Sequence, residues 1–489
     1  MSSLSVPSWA SSEVAACKFG DARLLSRSAF LLSVMARRFG GTVTRVFRTV
    51  ASREGAYRFL ENESVDQESL LAGAALFVLG LVRTSFFFVV LDFCFLRLPG
   101  APNRELGQVG HTRCPAFGLV AMSALALSPS GSTLGLVDQQ LFARPKPRPR
   151  GPSHCSHCRK RKRKRKCKQA SKSRKRCAHQ QEKVKALPLA QKETRYWMLS
   201  LMAVLTRCQA LSLRSRPWFQ CDRGADFFEL LTYAVAQKLW LTVRANSDRR
   251  LSQGQTVRRF LKSQPVLYCR TLLIPAGPNR KAREAQLVVR ATRVQVTHQR
   301  WPKEKPELGV VWVREVGPVP RGSKRLDWLL WTTHPLRRKG EVKEVVRGYE
   351  YRWAIEEFHK TWKSVGQVER TQLKSQRALK VWATLLAMVA ARAQRLVKRA
   401  RSEPETDPNS ELSEDELTAL RLVLERKGGK TPKLQTLALV VDAIARLGGY
   451  TGKSSGGPPG TITVARGLED LALIVATISV LRASGRLQM

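Results

Sequence analysis

Apolar positions recur at helical spacing over the first seventy residues and then change to short continuous runs. The stretch "FGDARLLSRSAFLLSVMARRFG" gathers its apolar residues on one side and leaves Arg23, Arg27, Arg37 and Arg38 elsewhere. With "ASREGAYRFLENESVDQESLLAG" it predicts a helical unit from about Phe19 to Leu71. The next segment, "LLAGAALFVLGLVRTSFFFVVLDFCFLRL", is apolar but interrupted by Arg83 and Asp92, leaving pieces shorter than the roughly 20 residues a membrane span needs. It predicts a buried helix followed by a buried strand. Runs of four to eight apolar residues follow, separated by Gly, Pro, Ser and Asp: "AFGLVAMSALALSP", "TLGLVDQQLFA", "PWFQCDRGADFFELL", "LWLTVRANSD", "VLYCRTLLIP", "AQLVVRATRVQVT", "LGVVWVREVG" and "LDWLLWTTHP". They predict strands of a mixed α/β domain with a β-rich insertion, and residues 349–363 then return to helical periodicity.

Charge narrows the class of partner. Against 38 acidic residues stand 85 Lys and Arg, a formal net charge of +47, which repels itself unless a polyanion screens it. Nucleic acid is the expected partner. An anionic membrane is disfavoured, because no lipidation motif is present and the basic residues do not flank a long apolar helix. In a basic loop at 144–185, 13 of the 18 residues from Arg159 to Arg176 are Lys or Arg, and this loop is expected to neutralise phosphates. Within it "HCSHC" sets Cys155 and Cys158 at zinc-ligand spacing, with Cys167, Cys177 and His179 as further donors. The cationic surroundings argue against zinc. The chain opens with neither a basic nor a continuously apolar segment, so a cytoplasmic protein with reduced thiols is expected. No internal repeat is visible.

The chemistry-bearing residues are densest in "GYEYRWAIEEFHKTWK". At 100° per residue, Tyr349, Arg352, Glu356 and Lys363 fall within about one sixth of the helix circumference, and Glu357 points about 100° away from Glu356. Upstream, Asp92 sits inside the apolar run "FFFVVLDFCFL", where an unpaired carboxylate is costly to bury unless a cation or metal meets it. Asp222 follows the strand-like "PWFQC". Two strand carboxylates and one on a helix suit a two-metal phosphoryl-transfer site, since hard divalent ions take oxygen ligands and keep positions open for water and phosphate. Taken singly, Asp222 also reads as a helix cap, Asp92 as a turn residue, and the helix as an ion-paired surface helix.

On these residues the sequence resembles the DDE cut-and-paste transposases of bacterial insertion sequences, the IS-four family that includes the Tn-five transposase. The Tyr, Arg, Glu and Lys pattern is met at Tyr349, Arg352, Glu356 and Lys363; "EGAYRFLEN", "CDRGAD", "LDWLLWTTHP" and "IARLGGYTG" match further family segments. The resemblance implies an RNase H-like catalytic core, a mixed sheet flanked by helices and split by a β-rich insertion. It places a helical domain that binds transposon ends at 1–70 and the catalytic domain at 71–400, with its insertion at about 250–340. An acidic linker at 401–418 and a helical dimerisation domain at 419–489 complete the expected order. Asp92, Asp222 and Glu356 become the catalytic, metal-binding triad for two Mg²⁺ ions, for which Mn²⁺ can substitute. Tyr349, Arg352, Lys363 and Arg244 would hold phosphates, Trp328 and Trp353 would receive a flipped nucleotide, and Arg23, Arg27 and Arg58 would contact end DNA. The implied partners are double-stranded DNA, as terminal inverted repeats and as target, and a second copy of the chain; a nucleoid location would follow.

The chain departs from the family pattern in three places. Phe93 and Cys94 follow the first aspartate where a hydroxyl residue is common, Gly224 replaces a common glutamate, and "TITVARGLEDLALIVATISVL" lacks tryptophan. These keep a second reading open, a catalytically inactive DNA-binding relative that inhibits active copies in mixed dimers. A third is an RNase H-like nuclease without strand transfer.

Overall fold

The computed structural model describes residues 6, 8–98, 105–109, 116–145, 187–274, 282–321, 323–425, 434–453 and 457–484. Five helices open the chain: α1 (Ser8–Val14), α2 (Ala22–Arg37), α3 (Val43–Val46), α4 (Val50–Glu61) and α5 (Gln67–Gly80). Side-chain oxygens of Asp21, Thr42, Thr49 and Asp66 cap α2 to α5 by accepting from first-turn N–H groups. Strands β1 (Phe86–Arg97), β2 (Gly107–Gln108), β3 (Phe117–Leu127) and β4 (Thr133–Phe142) follow. Then come α6 (Arg195–Ala210), β5 (Arg216–Cys221), α7 (Phe228–Ala236), β6 (Trp240–Arg244) and α8 (Val257–Ser263). The insertion supplies β7 (Tyr268–Ile274), β8 (Arg283–Gln295) and β9 (Glu307–Val316), and β10 (Asp327–Thr332) closes the strands. Helices α9 (Lys339–Tyr351), α10 (Trp353–Ser364), α11 (Gln376–Ser402), α12 (Glu414–Glu425), α13 (Leu437–Leu447) and α14 (Thr461–Ala483) complete the chain.

Among the described residues all ten strands join one sheet, in the order β2-β3-β1-β5-β6-β10-β9-β8-β7, with β4 on β3. β1, β5 and β6 are parallel neighbours and the other pairs are antiparallel. The insertion therefore extends the catalytic sheet, because β10 pairs with both β6 and β9. Strand β1 shows why its sequence is continuously apolar: Phe87, Val89 and Leu91 enter one core and Phe88 and Val90 the other. A strand covered on both faces has no polar side to alternate with. The arrangement is the mixed sheet flanked by helices expected of an RNase H-like core.

Three features refine the expectations from sequence. The helix expected over 349–363 is divided at Arg352, where α9 ends and α10 begins. Gly348 lets α9 lie close against the sheet here, since a Cβ on it would stand 2.5 Å from the Phe88 ring. The acidic stretch at 401–418 is folded structure where a linker was expected. Glu411 is 4% exposed and meets Arg395 at 3.2 Å and Arg399 at 3.1 Å, and the Glu416 carboxylate accepts the Ser413 N–H at 2.8 Å. Buried arginines of α11 draw these carboxylates inward, which a reading of composition misses. Finally, α1 to α4 share a continuous apolar core with α9, α10 and α11. No described helix is long and apolar enough to cross a membrane. The basic loop, with Cys155, Cys158, Cys167, Cys177 and His179, lies outside the described residues apart from its first positions, 144 and 145.

Candidate active site

The site forms where the parallel pairing of β1 and β5 ends. β1 and β5 run in register with Leu91 beside Cys221, so the next residues are Asp92, still within β1, and Asp222, which leaves the end of β5. Asp92 shares the parity of Phe88 and Val90 and faces the helical layer carrying Arg352 and Glu356. Arg352 Nη1 donates to Asp92 Oδ2 at 2.9 Å and Nη2 donates to Glu356 Oε1 at 2.5 Å. The break between α9 and α10 puts this guanidinium between two carboxylates from distant parts of the chain. Asp222 Oδ1 accepts the Gly224 N–H at 2.7 Å, and Asp92 Oδ1 accepts the Phe93 N–H at 2.8 Å.

Electrostatics records the crowding. Burial pushes the Asp92 carboxyl up to about 7, the Asp222 and Glu356 charges add to the rise, and Arg352 opposes it. Arg352 titrates above its ordinary value: burial works against its charge, but Tyr349, Asp92 and Glu356 outweigh that cost. This is a site with more negative charge than its one guanidinium balances.

Its other predicted members are placed as follows. Tyr349 is buried, its ring 5.6 Å from Trp328 and 5.8 Å from the Arg352 guanidinium. Lys363, in the last turn of α10, reaches a point farther along β1, donating to the Phe95 carbonyl at 2.7 Å and pairing with Glu369 at 3.2 Å. Arg244 ends β6 opposite Leu330 and donates to the Asp327 carbonyl at 3.3 Å. Trp353 is 65% exposed, while Trp328 is packed on Tyr349. Arg23 and Arg58 are solvated on α2 and α4, paired with Asp21 at 2.9 Å and Glu54 at 3.4 Å, and Arg27 lies over the Phe30 ring. Glu357 points elsewhere, to Lys398 at 2.9 Å and the Thr461 hydroxyl at 2.9 Å.

The departures near Asp92 are accommodated by packing. Phe93 stands edge-on to Trp197 at 5.3 Å and to Phe142 at 6.3 Å, and Cys94 is buried. A side chain at position 224 would begin 3.0 Å from Asp222 Oδ1 and 3.2 Å from Trp197, so glycine leaves the aspartate its place. Trp197, on α6, escaped the sequence reading altogether, although the apolar spacing of "RYWMLSLMAVL" could have revealed its helix. Asp226 was also missed: its buried carboxylate accepts from Arg249 and from the Asn246 N–H, both at 2.6 Å, bracing the segment after β6. The second aspartate of "CDRGAD" is therefore a structural anchor.

Residues 154–391 match the family model described as Transposase DDE domain, residues 7–65 match Transposase DNA-binding, and residues 388–486 match Transposase Tn5 dimerisation domain. The fold and these matches define a DNA transposase that uses DDE chemistry to cleave and join strands. With both flanking domains matched as well, the chain belongs to the Tn5-like DDE transposases. A solved structure titled "Cryo-EM structure of piggyBac transposase synaptic complex with hairpin DNA (SNHP)" is a distant likeness, 10% identical with a TM-score of 0.36, over 98% of this chain and 73% of that one. Asp222 and Glu356 lie within the range matched to the DDE domain; Asp92 lies before it.

DDE domains depend on a divalent metal. The donor set fits one chemically: three carboxylates around a buried excess of negative charge suit a hard cation. Among the described residues, however, no three His, Cys, Asp or Glu side chains stand close enough to hold an ion together. Arg352 separates Asp92 from Glu356, and Asp222 is turned to Gly224.

Proposed function

We propose that Asp92, Asp222 and Glu356 are the catalytic triad, and that together they hold two Mg²⁺ ions, which Mn²⁺ can replace. The observation that carries this reading is the register of β1 on β5, which sets Asp92 beside Asp222, together with one guanidinium that joins Asp92 to Glu356. Bound divalent cations would lower the pKa of the attacking water and stabilise the leaving oxygen. Arg352, released from the carboxylates, turns to a phosphate, and Tyr349, Lys363 and Arg244 hold neighbouring phosphates of the transposon end. Lys363 must first leave Glu369, an exchange of one carboxylate for another anion. Trp353, already in solvent, stacks on a flipped nucleotide, with Trp328 as the second aromatic surface. Arg23, Arg27 and Arg58 position the end without reading the cleaved step.

The reaction sequence follows from one site acting repeatedly. Water attacks the end phosphodiester and releases a 3′-hydroxyl; that hydroxyl attacks the opposite strand and closes a hairpin. Water reopens the hairpin, and the regenerated 3′-hydroxyl attacks target DNA, each step exchanging one phosphodiester bond for another or for water. Two copies hold paired ends, each cutting the end bound chiefly by its partner, with the C-terminal helices supplying the contact. The inactive reading gains no support: Phe93 packs on Trp197 while its N–H donates to Asp92, and all three carboxylates are retained.

The test uses purified protein, Mg²⁺ and linear DNA carrying the inverted repeats that flank its own gene, resolved on a denaturing gel. Release of hairpin-ended DNA by the wild type, abolished in Asp92→Ala, Asp222→Ala and Glu356→Ala variants that still bind the repeats, is expected. Unimpaired cleavage by Asp92→Ala would remove it from the triad.

A further inference from the structure

A cationic groove lies on the side of α9 turned away from the carboxylates. Lys339, Lys343, Arg347 and Tyr351 recur every fourth residue and so form one stripe, and Arg352 falls roughly opposite it on the helix. Between this stripe and the outermost strand β7 lies a groove of about 690 Å³, lined also by Tyr268, Cys269 and Arg270. The Tyr268 ring is covered by two ammonium groups, Lys339 at 5.8 Å and Lys343 at 5.7 Å from its centroid.

Charge and hydrogen bonding in the groove are both unbalanced. Arg270 pairs with Glu350 and Arg347 with Glu344, whereas Lys339 and Lys343 have no carboxylate partner among the described residues and are exposed. Among the described residues the buried Tyr268 hydroxyl, Arg270 Nε and Arg347 Nε have no hydrogen-bond partner. Surplus positive charge beside unused donors suits a ligand with several anionic oxygens. From Lys339 to Arg347 the stripe rises about 12 Å, the reach of three to four successive phosphates of one DNA strand.

We propose that this groove binds the phosphate backbone of duplex DNA at a stretch separate from the phosphodiester held at the carboxylates. The inference rests on the DNA-binding reading and adds a second track to it. Such contacts fix orientation and carry no sequence information, so the track engages DNA irrespective of the terminal repeat.

The experiment compares wild type with Lys339→Ala/Lys343→Ala, measuring affinity across a salt series for a random-sequence duplex and for one carrying the terminal repeat. The slope of log affinity against log salt should shrink by about 2 for the random duplex, nearly one unit for each phosphate that is no longer neutralised. In parallel, alkylation of the exposed Cys269 at the groove rim, read by mass spectrometry of its peptide, should slow when the random duplex binds wild type. An unchanged slope or an unprotected Cys269 would overturn the groove while leaving DNA binding intact. Failure of wild type to bind either duplex would overturn both.

Discussion

Replacing Arg352 by glutamine removes the one cation that stands between Asp92 and Glu356. Each charge-assisted bond it makes, at 2.9 Å and 2.5 Å, contributes about 1.5–3 kcal/mol in typical settings. Side-chain exposures of 18% for Asp92 and 35% for Glu356 mean that solvent screens part of this, mainly on the glutamate. A loss of about 3 kcal/mol is expected, at the lower end for breaking a buried pair. The freed oxygens should then take up a divalent ion more readily, because wild-type protein must first move its own guanidinium. An ion at ten times its dissociation constant would return about 1.4 kcal/mol. Thermal melts of wild type, Arg352→Gln and Asp92→Asn/Arg352→Gln in chelator, Mg²⁺ and Mn²⁺ separate these effects. The single variant should melt lower in chelator and gain more from either ion than wild type, and the double variant should lose that gain. If Arg352→Gln melts like wild type and gains no more from divalent ions, the guanidinium does not hold the place of a cation and the reasoning fails.

Three other outcomes follow from the same geometry. Burial holds His359 down at about 3, so its stabilising contribution is complete above the unfolded value near 6.5 and is lost as pH falls toward 3. Urea unfolding should show about 2 kcal/mol less stability from this group at pH 5 than at pH 7, a difference that His359→Gln abolishes. Arg395→Met strands the buried carboxylate of Glu13, now 3.3 Å from the guanidinium, and leaves Glu411, now at 3.2 Å, to Arg399; it should cost about 3–5 kcal/mol in a denaturant titration. An unshifted midpoint would mean that the bridge from α1 to α11 is idle. Trp353→Ala should leave the melting temperature unchanged, given its exposure, yet weaken binding of an end duplex with an unpaired nucleotide by about 1–3 kcal/mol relative to a fully paired one, measured by fluorescence anisotropy.

Whatever repeats locally or carries formal charge was legible in the order of residues. Period and apolar run length marked every strand from β1 to β10 apart from the two-residue β2; a strand such as β1, buried on both faces, must be apolar almost throughout, whereas β7 and β8 keep exposed positions. Residue spacing brought Arg352 and Glu356 to one helical side before any fold was known. Net charge named the kind of partner. What distant segments do to one another emerged only on folding: Asp92 follows the last β1 residue paired with the strand before Asp222, and Arg352 stands between Asp92 and Glu356. The same holds for the stretch at 401–418, whose composition reads as solvated until Arg395 and Arg399 are found beneath it. A carboxylate's cost depends on its burial and on the cation opposite, and the chain order records neither.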